Sequence, residues 1–337
     1  MKRTLIFIAL LAITLLLFLI DLAHGASNAG LNDVINLIIN PTKVADNQGF
    51  IITQLRLPKT ITALFVGAAI AISGLCIQNI MRNPLADASI LGVSQGAGLG
   101  AAILMLTSSY LPYTLIRNFG YGVFGQMIFT ILGAMAMLSI IIVVAAKVKD
   151  TVSVLIVGVM IGFITSAAIS VLSYFSPPEQ LKMYTLWTFG SLQAVTWQQI
   201  YILIPVLVIC LLAISLMAKN LNAIQLGDSY AMNLGINVKK NRIFIIIVTG
   251  LIIGASTTVV GPIAFIGLAV PHLSRLFFNT LDHKILIPAT MLIGSAIMIL
   301  CDIASLMPNG GILPINAITS ILGAPIVIYL IFRSTKG

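Results

Sequence analysis

At 337 residues, with 59% hydrophobic and only 8% charged residues and a mean hydropathy of +1.10, the chain lacks the polar surface that a soluble protein of its size requires. A soluble fold is excluded, and an all-α polytopic membrane protein is expected. A net charge of +9 would point to nucleic acid in a soluble chain. Here its distribution between loops accounts for it, and no nucleic-acid partner is expected.

A hydrocarbon core about 30 Å thick takes roughly 20 apolar residues per helix. In chain order the qualifying segments centre on Leu5 to Ile20, Thr60 to Ile80, Ile90 to Leu106, Tyr121 to Ala146, Val152 to Tyr174, Gln198 to Ala218, Ile243 to Val260, Ile263 to Phe278, Ile285 to Ser305 and Ala317 to Phe332. About ten transmembrane helices are therefore expected. The eighth is the most broken, because Pro262 and Pro271 bracket or kink it. Met-Lys-Arg followed by an apolar run also fits a secretory signal cleaved near Ala26; the run is long for such a region, and a retained first span is expected.

With the N-terminus in the cytoplasm, this topology puts Lys2, Arg3, Arg82, Lys147, Lys149, Lys219, Lys239, Lys240, Arg242, Arg275, Lys284, Arg333 and Lys336 inside. Only Lys43, Arg56, Lys59, Arg117 and Lys182 remain outside. That is the imbalance the positive-inside rule describes, so both termini are expected to be cytoplasmic. No hydrophilic stretch is long enough for a separate domain, and residues 1–337 are expected to form one transmembrane domain.

Arg82 to Gly100 sets a charged, proline-broken turn between two apolar segments, as expected of a turn lining a path. Gly92, Gly96 and Gly100 fall on one helical stripe, a lane for close helix packing. Beyond the fifth span, Pro177-Pro178-Glu179 starts a short interfacial helix anchored by Trp187 and Trp197. On the inner side Asp228 is expected to cap a short helix through Leu234, which Gly235 ends in a left-handed turn. That helix, followed by Lys239, Lys240 and Arg242, reads either as a partner's handle or as a solvated connector.

An internal echo suggests an inverted repeat of spans two to five and seven to ten. Gly67, Ile70 and Ser73 share their spacing with Gly250, Ile253 and Ser256, and a Pro-aliphatic-Ala triplet follows each set at Pro84 and Pro262.

Gly92-Val93-Ser94-Gln95-Gly96 matches the Gly-x-Ser-x-Gly pattern of a serine nucleophile, with His272 as an imaginable base, which would make an intramembrane hydrolase. That motif requires a strand-to-helix turn, whereas these glycines continue a helical lane, so packing is the stronger reading. His24, His272 and His283 have no metal-ligand spacing, and Cys76, Cys210 and Cys301 sit in apolar segments at unrelated spacings. Neither a metal site nor a cofactor is expected.

An ion-coupled carrier should keep charged groups in mid-membrane. The acids Asp21, Asp33, Asp46, Asp87, Asp150, Glu179, Asp228 and Asp282 are placed in loops or at span ends, with Asp302 borderline. No phosphate-binding Gly-x-x-x-x-Gly-Lys loop occurs, so the chain is expected to draw energy from a separate ATPase and not to be an enzyme.

Arg56-Leu57-Pro58-Lys59, Gly67-Ala68-Ala69, Ser73-Gly74, Gln78, Asn83-Pro84-Leu85-Ala86-Asp87, Leu91-Gly92-Val93-Ser94, Trp187 with Gly190-Ser191-Leu192, Leu226-Gly227-Asp228, Leu234-Gly235, Gly261-Pro262-Ile263-Ala264-Phe265-Ile266-Gly267-Leu268 and Pro271-His272 stand in order along nearly the whole chain. Together they resemble the FecCD family, the permease subunits of binding-protein-dependent ABC importers for iron siderophores, haem and vitamin B12. The resemblance implies two permeases pairing around a path in the cytoplasmic membrane, two ATPases below and a substrate-binding protein outside. It implies receptor docking at Arg56 and Lys59, an inner constriction at Asn83, Pro84 and Leu85, and ATPase coupling through Leu226, Gly227, Asp228, Ala231 and Gly235. A ferric siderophore is the expected cargo.

The chain departs from that pattern where the family often carries a further arginine, offering Leu306, and in Ile312-Leu313-Pro314-Ile315-Asn316, which lacks an acid and a glycine. These departures imply weakened docking on this chain and a heterodimer with a related permease.

Overall fold

The computed structural model describes residues 2–25, 30–39, 46–108, 122–148, 151–306 and 311–334. Ala26, Lys43, Arg117, Tyr121, Lys149, Asp150 and Lys336 lie outside the described residues. The chain runs through α1 (Lys2–Ala23), α2 (Leu31–Ile39), α3 (Asp46–Phe50), a π-helical turn (Ile51–Arg56), α4 (Leu57–Met81), α5 (Val93–Leu106), α6 (Val123–Lys147), α7 (Thr151–Phe175) and α8 (Pro178–Phe189). It continues with α9 (Trp197–Leu216), α10 (Ala218–Leu226), α11 (Asp228–Asn233), α12 (Val238–Val260), α13 (Ile266–Phe278), α14 (His283–Ser305) and α15 (Ile315–Ser334). Among the described residues extended pairing is confined to an isolated antiparallel bridge between Leu306 and Ile312.

Among the described residues seven helices are long and apolar enough to cross a membrane, and α5, α13 and the apolar part of α15 are shorter apolar helices, so each expected span is helical where it is described. The second differs in length. It begins at Asn47 rather than Thr60 and runs unbroken to Met81. The π turn explains the continuity: the Leu57 N–H reaches back to the Ile52 carbonyl, a wider spacing that accommodates Pro58 and its missing donor.

Helix α4 is buried on all sides because small residues line it; a Cβ on Gly67 would strike the Gly294 carbonyl, and one on Gly74 the Gly267 carbonyl. A helix apolar all round belongs in the centre of a bundle. Helices α1 and α7 instead leave Leu15, Leu16, Phe163 and Ile164 exposed, a surface suited to lipid.

The repeat is built into the packing. α4 packs on α13 and α14, just as α12 packs on α5 and α6; α5 meets α6 and α7, just as α13 meets α14 and α15. Exchanging α4–α7 with α12–α15 therefore preserves the pairings, with α4 and α12 touching each other between the halves. In both halves the short second helix follows a residue of positive φ, Gly92 at 77° and Phe265 at 66°.

Candidate translocation and coupling sites

At the start of α4, Arg56 and Lys59, the residues expected at the receptor face, are only 4% and 2% exposed. Lys59 Nζ lies 3.0 Å from Asp21 and 2.6 Å from Asp302. The Thr60 hydroxyl donates to the second Asp21 oxygen at 2.5 Å, Gln193 donates to the second Asp302 oxygen at 3.1 Å, and Arg56 donates to the Leu22 carbonyl at 2.9 Å. Buried charges persist only when paired and hydrogen-bonded, and here each carboxylate oxygen has a donor. Asp21 lies in the last turn of α1 and Asp302 in the last turn of α14, at span ends as expected, yet both are enclosed, so the charges enter the bundle within a turn of these helix ends.

At the other end of α4, about 37 Å away at 1.5 Å per residue, Asp228 departs from its expected role. Gly227 takes the capping position, at φ 133°, and Asp228 is the first residue of α11 with no capping bond from its side chain. Its carboxylate instead holds two arginines. Arg242 donates to both oxygens, at 3.2 and 2.9 Å, and Arg82 pairs with the same carboxylate while donating to the Ile224 carbonyl at 3.3 Å. Arg82 terminates α4 in the left-handed region, so this clasp joins the helix pair α10–α11 to the turn that follows α4 and to the first turn of α12. The Gly235 turn is left-handed as expected, at φ 77°. Asn79 donates to the Leu221 carbonyl at 3.1 Å, and Asn222 donates to Asp282 at 2.6 Å, adding two further ties. On α11 and its flanks Leu226, Tyr230, Met232 and Leu234 are exposed around the buried Ala231.

The turn between α4 and α5 is shaped by its own polar groups. Asn83 accepts from the Leu85 N–H at 2.9 Å, the side-chain mimic of a backbone turn, and Asp87 accepts from the Ser89 N–H at 3.1 Å. His272 of α13 meets the Pro84 carbonyl at 2.8 Å, and Arg275 donates to Gln78 at 2.7 Å. A polar cavity of about 270 Å³ opens here, walled by Gln78, Arg82, Asn83, Pro84 and Arg275.

A buried central helix, two matching broken helices and a clasped peripheral helix pair define a transporter-like bundle. The profile of the FecCD transport family matches residues 13–333. The chain belongs to the FecCD transport family. It is thus a permease subunit of the binding-protein-dependent ABC-importer type. The FecCD permease is 33% identical over 325 residues to the hemin transport system permease protein HmuU of Yersinia pestis, an alignment covering 96% of this chain and 95% of the relative. It is 36% identical over 286 residues to the vitamin B12 import system permease protein BtuC of Klebsiella pneumoniae, covering 84% of this chain and 82% of that one. A solved metal-chelate type ABC transporter in an inward-facing conformation superposes with a TM-score of 0.81 at 26% identity, covering 97% of this chain and 99% of its own.

Other sequence expectations resolve as follows in this FecCD permease. Gly96 and Gly100 do pack against backbone, at Gly133 and Phe129 of α6, but Gly92 lies outside the helical lane because it caps α5. Ser94 and His272 are not brought together: His272 is engaged by Pro84, and Ser94 lines a separate cavity beside Tyr184 and Trp187. The indoles of Trp187 and Trp197 turn onto protein, donating to the Thr258 and Thr53 carbonyls at 3.2 and 3.0 Å. Leu306 and Ile312 pair with each other, and Asn316 is the second residue of the last helix. Sequence reasoning missed Asp21, Arg82 and Arg242 as functional partners; their one shared signal is that each is a charge standing near a helix end.

Proposed function

We propose that this FecCD permease carries a ferric siderophore across the cytoplasmic membrane as the pore subunit of an ABC importer. The observation that carries the reading is the pair of breaks before α5 and α13. Non-helical backbone at membrane depth is tolerated where it lines a cavity, and short helices at corresponding places in two repeats point to a path. The relatives' named cargoes, hemin and vitamin B12, and the metal-chelate neighbour share one chemistry, a bulky metal chelate. Haem is the second reading, favoured by the near full-length alignment with the Yersinia pestis hemin permease, and vitamin B12 stands beside it.

Asn83, Pro84 and Leu85 are the proposed inner constriction. The exposed apolar knob around Leu226, Gly227, Asp228, Ala231 and Gly235 is the proposed seat of the ATPase, which hydrolyses ATP on a separate chain. Closure of the ATPases would pull α11 and, through Asp228 and Arg82, the end of α4 from which the constriction departs. A substrate-binding protein delivers the cargo from outside; its docking is not assigned to Arg56 or Lys59, whose charges are satisfied within the bundle. Residues 1–337 act as one domain with both termini cytoplasmic, α1 and α7 facing lipid. A related second permease completes the path, since Leu306, Ile312 and Asn316 depart from the family pattern. An active complex containing only this permease would refute that pairing.

The test is deletion of this chain, with reintroduction as the control, and growth on a panel of single iron sources. Loss confined to ferric siderophores supports the reading, and loss confined to hemin transfers it to haem. Chelate uptake that persists without ATP overturns the importer assignment.

A further inference from the structure

Where the two halves of the repeat face each other, the residues that open α5 meet the break before α13. A cavity of about 230 Å³ lies between them, walled by Ser94 and Gln95 of α5, Tyr184, Trp187 and Thr188 of α8, the backbone turn at Pro262 to Ala264, and Asn316 at the start of α15. Among the described residues, none that lines it is formally charged. Gln95 Oε1 and Asn316 Oδ1 are buried amide oxygens without a hydrogen-bond partner among the described residues. An unpaired buried acceptor is costly and is retained in native structures for a reason, and the terminal amide torsion is soft enough to turn toward an incoming donor. The Tyr184 hydroxyl, beside the indole of Trp187, donates to the Gly98 carbonyl at 3.5 Å.

We propose that this cavity is a cargo-contacting site that takes amide N–H or hydroxyl donors on an uncharged edge of the chelate. The proposal rests on the permease reading above. At this volume the cavity accepts a substituent of the cargo rather than the whole chelate. A carboxylate edge, such as the propionates of haem, would meet amides and hydroxyls but no cation among the described lining residues, and is disfavoured. Asn316, one of the departures from the family pattern, thereby has a role facing cargo, and Ser94 has one as a wall hydroxyl.

The experiment uses cells in which the chromosomal copy is deleted and the full chain is supplied as wild type, Gln95→Met, Asn316→Leu or the double variant, with membrane levels matched by immunoblot. ATP-dependent uptake of ferrichrome, cyanocobalamin and hemin is measured well below the half-saturating concentration. The expected result is uptake of a donor-bearing probe by the wild type that falls about tenfold in each variant, the scale of one lost hydrogen bond to cargo. Wild-type rates in the double variant overturn the proposal, as does a wild type that takes up hemin alone. A wild type that imports none of the three overturns the site as drawn for these donor-bearing chelates, while the permease reading is decided separately by growth on the iron-source panel. A variant absent from the membrane is replaced by Asn316→Ser, which keeps a polar side chain too short to reach the cavity and is expected to lose uptake equally.

Discussion

Lys59 and Asp302, 243 residues apart in sequence, stand 2.6 Å apart and pin α4 to α14, while Asp21 brings α1 to the same ammonium. Removing the cation leaves two buried carboxylates facing each other. Lys59→Met is therefore expected to destabilise the permease by about 3–5 kcal/mol, read as a lowered thermal midpoint in detergent. Adding Asp302→Asn to that variant removes one stranded charge and restores part of the loss; an undisturbed midpoint in Lys59→Met would show that the ion cluster braces nothing.

The Asp228 clasp behaves differently, because its groups are about a third exposed. Exposed pairs contribute roughly 0–1 kcal/mol, so Asp228→Asn should barely shift unfolding. Uptake should nevertheless collapse, with binding-protein docking intact, since the carboxylate links the ATPase seat to the end of α4. Gly227→Ala should act alike through its backbone, as φ 133° is closed to alanine. Cargo uptake by either variant at the wild-type rate would sink the coupling role.

The helices were legible because lipid demands long apolar runs, and the repeat was legible because a Gly-x-x-Ile-x-x-Ser spacing and a proline triplet recur in both halves. Lys59 was not. A lone lysine next to a helix start looks like a snorkelling surface charge, and its partners lie 38 and 243 residues away, where no local pattern points to them. Asp228 was misread for a related reason: aspartate before a helical run is a good cap, but Gly227 at positive φ took that position and freed the carboxylate for the arginines. Gly92 shows the limit of spacing alone, since a three-residue lane cannot reveal that its first member precedes the helix.

Asp282 caps α14, accepting from the Lys284 N–H at 3.0 Å and from Asn222 at 2.6 Å. The Asn222 hydrogen bond first, then the Lys284 N–H, hold its carboxyl below the usual carboxylate range. A lowered folded value means that its stabilisation is complete above the ordinary carboxylate pKa and fades as pH falls through the depressed one. Asp282→Ala is expected to cost about 1 kcal/mol at neutral pH. Thermal midpoints of wild type and variant should converge on acidification; a gap that stays constant with pH would refute the carboxylate's part.

Two glycines separate packing from propensity. Gly74 of α4 faces the Gly267 backbone so closely that a Cβ would overlap its carbonyl, whereas at Gly98 of α5 the nearest atom to a Cβ is the Tyr184 hydroxyl, 3.8 Å away. Alanine in a helix interior is favoured over glycine by about 0.5–1 kcal/mol where space allows. Gly98→Ala should therefore hold or raise the thermal midpoint. Gly74→Ala must part α4 from α13, an overpacking that costs about 1–3 kcal/mol or more, and because α13 carries the His272 contact to Pro84, the displacement should also lower uptake. Equal midpoints for the two alanine variants would mean that α4 and α13 do not meet through backbone, and the central helix would lose the close fit on which the bundle depends.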